Sequence, residues 1–269
     1  SGKTIYNSEE QIEDSNYPVS HTLETNGYDM NNLKDIVEIP IYTLPEWTWA
    51  YSLGNYFETA KQEYPMLAYD TAESIIKISD YNKIANLYGN EQYSLDDDEY
   101  IVLCDLEQMV NIRNAALEQD PNIEINGKTY HAKYNECKYG FVFMNASNMN
   151  TGIILVPDSF EMKKENTEEY FLAANYNVET EEEKEELEKV FTGEVDSELS
   201  NNLSEKGIDL EGITKISSKE ASKGLSTIII FIAIYLGIVF LIASAAILAL
   251  KQLTESSDNK QRYTILRKI

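Results

Sequence analysis

"STIIIFIAIYLGIVFLIASAAILAL", Ser226 to Leu250, decides how the rest of the chain is read. No charged residue stands between Gly224 and Lys251. The uncharged run Ile228–Leu250 makes a helix of about 35 Å at ~1.5 Å per residue, enough to cross a hydrocarbon core of ~30 Å. A core helix of a soluble protein seldom carries so long an apolar run, so the stretch reads as a membrane span. It lies far from the start of the chain, where a signal peptide would be.

Charge changes sign across this span. The chain has 22 basic and 46 acidic side chains, a formal net charge of −24. From Leu225 onward there are five basic and two acidic residues, which leaves 17 basic and 44 acidic ones before it. An acidic surface of that size repels phosphate, so no nucleic-acid partner is expected. The positive-inside rule places the basic tail in the cytoplasm and residues 1–224 outside the cell membrane. An external domain that precedes its own membrane helix needs something upstream to start its export. The chain opens with "SGKTIYN" and not with methionine. It is therefore expected to be a piece of a longer, multi-pass polypeptide with another membrane helix before Ser1. "SGKT" mimics the end of a phosphate-binding loop, but no apolar strand or glycine-rich turn precedes it, and it is read as chance.

Within the span, Ala233, Gly237 and Ser244 fall at near-helical spacing, with Ala245 and Ala249 beside them. Small residues let helix backbones approach closely in lipid, so this face is expected to pack on other membrane helices. Before the span, Ser217 or Ser218 is a candidate N-cap for a helix that begins outside the membrane as a short stalk. After it, "TESSDNKQRYTILRKI" reads as a turn and a short amphipathic helix. Ser256 or Ser257 would cap that helix, with Asp258 in its first turn. Tyr263, Leu266 and Ile269 share one stripe. The segment suits either an anionic lipid surface or a partner protein, and spacing alone does not separate the two.

The residues Tyr235–Ile269 resemble the start of the last membrane unit of FtsX-like ABC-transporter permeases, most of all the bacitracin- and lantibiotic-type transporters. The resemblance runs through Leu248, Leu250 and Leu253, then Asp258, Arg262, Tyr263, Leu266, Arg267 and Lys268. Looser likeness lies in "IKISDYNKIANLYG" (76–89), "DDDEYIVL" (96–103), "IEINGKTY" (123–130) and "GIILVPD" (152–158). It implies an external domain between two membrane helices of a permease that acts on antimicrobial peptides or their lipid-bound complexes. It also implies that Asp258, Arg262, Tyr263, Leu266 and Arg267 couple to a separate cytoplasmic ATPase subunit. Other partners it brings into view are membrane lipid, a peptide antibiotic or its lipid-bound target, and a sensor histidine kinase.

The external part is expected to be an α+β domain. "SDYNKIANLYGN" reads as a helix started by Ser79 or Asp80 and ended by Gly89. "EYIVLCD" and "GIILVPD" read as strands. "IEINGKTYHAKY" alternates about Asn126-Gly127, a strong hairpin signal. "LEQMVNIRNAALEQ" has helical spacing, and "TEEEKEELEKVF" is either a charged helix or a solvated stretch. The expected division is an external domain over 1–216, with 1–35 partly irregular. A stalk and transmembrane helix then span 217–254, and a coupling segment, cut short, spans 255–269.

No catalytic, metal or cofactor site is expected in this chain. His21 and His131 have no ligand partner at close spacing, and "DDDE" (96–99) lacks the alternation of a calcium loop. Cys104 and Cys137 either form one disulfide or stay as two thiols. Trp47 and Trp49, in the aromatic stretch 42–57, are candidates for a ligand surface, with core packing as the alternative. The permease reading competes with two others: a single-pass binding or sensor ectodomain, and an FtsX-like permease for lipoprotein export or cell division.

Overall fold

The computed structural model describes residues 2–4, 18–144, 149–192, 198–206, 208 and 212–267. Two compact units divide it, residues 1–218 and 219–269. In the first, the strands are β1 (Gly2–Thr4), β2 (Leu33–Tyr42), β3 (Ile75–Lys77), β4 (Glu99–Leu103), β5 (Asn122–Ile125), β6 (Lys128–Ala132), β7 (Ile153–Val156), β8 (Thr167–Tyr176) and β9 (Gly212–Ile213). The helices are α1 (Val19–Thr25), α2 (Trp49–Ser52), α3 (Phe57–Glu63), α4 (Ile78–Tyr88), α5 (Glu107–Gln119), α6 (Glu181–Thr192), α7 (Glu198–Glu205) and α8 (Lys215–Leu266).

The strands form one mixed sheet in the order β5-β6-β4-β7-β3-β2-β8-β1-β9. The β3–β7 and β4–β6 pairs are parallel, and the other pairs are antiparallel. The central strands are buried on both faces, which is why "IVL" and "IILV" are apolar throughout and do not alternate. Side chains still sort by parity. Ile76, Ile101, Leu103, Ile153 and Leu155 pack with Ile78, Tyr81 and Ile84 of α4 on one face. Ile75, Tyr100, Val102, Ile154 and Val156 pack with Trp47, Leu117, Tyr130 and Phe160 on the other. Each fully buried aliphatic side chain of this kind contributes roughly 1.5–3 kcal/mol.

Several local readings meet the structure directly. Asn126 and Gly127 both have positive φ, 53° and 73°, which joins β5 to β6 as the Asn-Gly signal predicts. Gly89 closes α4 in the left-handed conformation at φ 74°. Thr180 caps α6: its Oγ1 accepts from the Glu183 N–H, and the Glu183 carboxylate accepts from the Thr180 N–H.

Other readings are corrected. α4 starts at Ile78, ahead of Ser79 and Asp80, because Asp158 at the end of β7 supplies the acceptor for the Ser79 N–H. Gly2–Thr4 is strand β1, paired with β8 and β9. In the segment expected to be partly irregular, α1 buries Val19 and Leu23, and the Ser20 hydroxyl donates to Glu38 of β2 at 2.6 Å. α8 begins at Lys215, so Thr214, not Ser217 or Ser218, precedes it. Its helix runs unbroken to Leu266, so no turn separates the span from the tail. The reason is local: neither Gly nor Pro interrupts Ile238–Leu266, and mid-helix serines such as Ser256 and Ser257 lower helix propensity by only tenths of a kcal/mol.

Candidate functional site

In the second unit, Ser226–Ser257 is long and apolar enough to cross a membrane, and none of it is buried in the protein. Large apolar side chains face outward all round it, among them Ile229, Phe231, Phe240, Leu241 and Leu248. A helix apolar on every side is stable where its solvent is lipid. Ala233, Gly237 and Ser244 are exposed along it, and a side chain at Gly237 would meet only open space. The small-residue face is thus accessible in this chain.

The tail residues share the same helix. Tyr263 is 74% exposed, and Arg267 ends the helix with its N–H donating to the Tyr263 carbonyl at 3.2 Å. Asp258, Arg262 and Leu266 lie within α8 by backbone, and Lys268 is outside the described residues. Tyr263 and Arg267 stand four residues apart, one turn of the helix.

The two tryptophans separate. Trp47 is fully buried between Tyr100 and Phe160, and its indole N–H donates to the Ser52 hydroxyl at 3.0 Å. Of the two readings open for Trp47, a ligand surface or core packing, the structure shows core. Apolar neighbours on both sides of the ring and a partner for its one donor account for its place. Trp49 is half-buried beside the Arg113 guanidinium, 5.4 Å from its ring centroid. With Leu53, Leu67, Tyr69 and Met109 it lines a shallow apolar pocket.

Next to that pocket is a polar centre that the sequence reading missed. Arg113, on α5, makes two bonds to Glu73, Nη1–Oε1 at 2.8 Å and Nη2–Oε2 at 2.9 Å. Its Nε donates to the Thr151 carbonyl at 2.9 Å. Gly152 passes so close to the guanidinium that any side chain there would overlap it. The available signal was Arg113 itself: with Met109, Ile112, Ala116 and Leu117 it occupies the buried stripe of α5. A cation on an apolar stripe demands a buried anion.

Cys104 and Cys137 come together beside Arg113. Both are thiols in this structure. The neighbouring Cys137 side chain pulls the Cys104 thiol below its ordinary value against the effect of burial. The Cys104 side chain and burial push Cys137 up. Among the described residues, no group of three or more His, Cys, Asp or Glu side chains is placed to hold a metal ion.

Comparison with known proteins gives a partial likeness. A stretch of 59 residues is 44% identical to the bacitracin export permease protein BceB of Bacillus subtilis (strain 168). That stretch is 22% of this chain and 9% of the length of that protein. No family model matches the chain, and no solved structure does. The structure itself shows an α+β domain followed by one long apolar helix of membrane-spanning length.

Proposed function

We propose that this chain is the external domain and following membrane helix of an ABC-type permease that acts on antimicrobial peptides or their lipid-bound complexes. ATP is hydrolysed by a separate cytoplasmic subunit, and the chain itself carries no catalytic site. The observation that carries this reading is the 44% identity over 59 residues to a bacitracin export permease. The charge reversal across the span supports the orientation, with the acidic domain outside and the basic tail inside. From Ser226 to Leu266 the helix has no break, so a displacement at Tyr263 is carried into the span. In this reading Asp258, Arg262, Tyr263, Leu266 and Arg267 form the coupling segment, in which an aromatic–aliphatic pair supplies burial and the arginines orient it by charge-assisted bonds.

The test is co-purification of an ATPase subunit with the complete gene product, extracted from its own membrane. Tyr263→Ala with Leu266→Ala removes roughly 2–4 kcal/mol of contact, by analogy with truncations at interfaces, and should deplete the subunit severely. Membrane insertion should be unchanged, because the span is untouched. If the unaltered protein brings down no ATPase, the permease reading fails and a single-anchor binding or sensor ectodomain takes its place.

A further inference from the structure

Backbone contacts bring the two cysteines into one neighbourhood. Leu103, the last residue of β4, forms a parallel bridge with Lys138. The Cys104 N–H donates to the Lys138 carbonyl at 3.0 Å, and the Lys138 N–H donates to the Val102 carbonyl at 2.9 Å. The Cys137 N–H donates to Oδ1 of Asn114, on α5, at 2.7 Å. Cys104 lies in an apolar cluster with Met109, Ile112 and Ala116, and Cys137 packs against that cluster. The Cys104 S–H donates to the Asn150 carbonyl at 3.2 Å, and the next carbonyl along, that of Thr151, accepts from Arg113 Nε at 2.9 Å.

We propose that Cys104 and Cys137 are a redox-competent pair that closes into an intramolecular disulfide, clipping the segment around Cys137 to the end of β4. The parallel register sets Cys104 beside Tyr139 and Cys137 beside Val102, on one face and two positions apart, so closure draws the segment at Cys137 along β4 toward Cys104. The oxidant is a small disulfide. Cys137, the less buried residue of the two, exchanges with it first, slowly because burial and the Cys104 sulfur hold its thiol protonated, and releases one small thiol. The Cys104 thiolate, favoured by the nearby guanidinium, then attacks the Cys137 sulfur and expels the second small thiol. The protein loses two protons and two electrons, and the small disulfide gains them as two thiols. Cys104 is almost wholly buried, so it resolves the mixed disulfide and does not itself meet the oxidant. The bond lies wholly within the α+β unit, so the proposal goes beyond the permease reading and does not depend on it.

The experiment uses the full chain in detergent, fully reduced and then incubated without oxygen in oxidised glutathione. The product is denatured, alkylated and weighed intact. The expected product is a monomer that carries neither alkyl group nor glutathione and has lost two hydrogens. Its thermal midpoint should stand about 5–15 °C above that of the reduced chain, as expected for a closed loop of this size in a domain of this length. Cys104→Ser should stop at the glutathione adduct on Cys137, with no rise in midpoint. A treated wild-type chain that still takes two alkyl groups, keeps glutathione, or cross-links only to a second chain would overturn the proposal.

Discussion

Arg113 and Glu73 face each other as a two-pronged ion pair closed off from water, the arginine side chain 4% exposed and the glutamate 0%. The pair ties α5 to the approach of β3, and the bond from Arg113 Nε to Thr151 extends it to the approach of β7. Breaking such a pair from one side leaves a charge in the interior. Arg113→Ala should therefore cost about 3–5 kcal/mol, measured by urea unfolding of the domain. Replacing both partners together, Glu73→Leu with Arg113→Met, should cost clearly less than the two single changes combined, because no orphan charge remains. Additivity would mean that the two residues contribute independently. Gly152→Ala should also destabilise, since its φ of 148° is one that side chains rarely adopt and the guanidinium fills the space.

Alkaline pH should unfold the domain through its tyrosines. Tyr81 is pushed up to about 12 by burial, helped by Glu91 and Tyr139, and burial raises Tyr88 and Tyr100 further. In the unfolded chain they ionise near 10.0. The unfolded state therefore binds fewer protons above that pH, and stability falls as pH rises from there toward the folded values. Tyrosinate absorbance should appear together with loss of structure for these residues, and Tyr81→Phe should flatten the decline. Gradual ionisation of every tyrosine in an intact fold would contradict their burial.

At the acid end Glu99 behaves in the opposite sense. Its carboxylate accepts from the Asp96 N–H and pairs with Lys133, which hold it below the usual carboxylate range despite burial. Its contribution is present above the unfolded value and is lost as pH falls through the lower folded one. Glu99→Gln should remove part of the acid-side slope in stability, measured by chemical unfolding at a series of pH values. An unchanged slope would show that Glu99 is not held this way in solution.

The tryptophans should report their different places. With Trp49→Phe, the remaining Trp47 should emit at short wavelength and resist quenching by acrylamide. With Trp47→Phe, Trp49 should be quenched more readily. Trp47→Ala should cost about 3–5 kcal/mol as a large cavity in the core, and Trp49→Ala less. Equal quenching of the two would place Trp47 at the surface.

Topology can be tested in intact cells with an impermeant thiol reagent, in a background with both native cysteines replaced by serine. A cysteine at Glu182 should react and one at Gln261 should not. The reverse pattern would sink the orientation and the permease reading with it.

Signals that act over a few residues could be read without a fold. The uncharged run Ile228–Leu250 has the length and composition of a membrane span, since the hydrocarbon core sets that length. Asn126-Gly127 and Gly89 announce a hairpin and a helix end because both require positive φ. The runs in β4 and β7 show strands by their β-branched content. Their neighbours were not legible, because pairing is set by which surfaces pack, and Ile75 of β3 meets Ile154 of β7, 79 positions away in the chain. Chain-distant partners decided the remaining details. Asp158 moves the start of α4, aromatic neighbours take Trp47 into the core, and Glu73 makes a buried arginine tolerable. Cys104 and Cys137 stand 33 positions apart in the sequence, and nothing in that spacing says whether they meet. The parallel bridge between Leu103 and Lys138 puts them on one face, two positions apart, because paired strands fix on which side their neighbours' side chains lie.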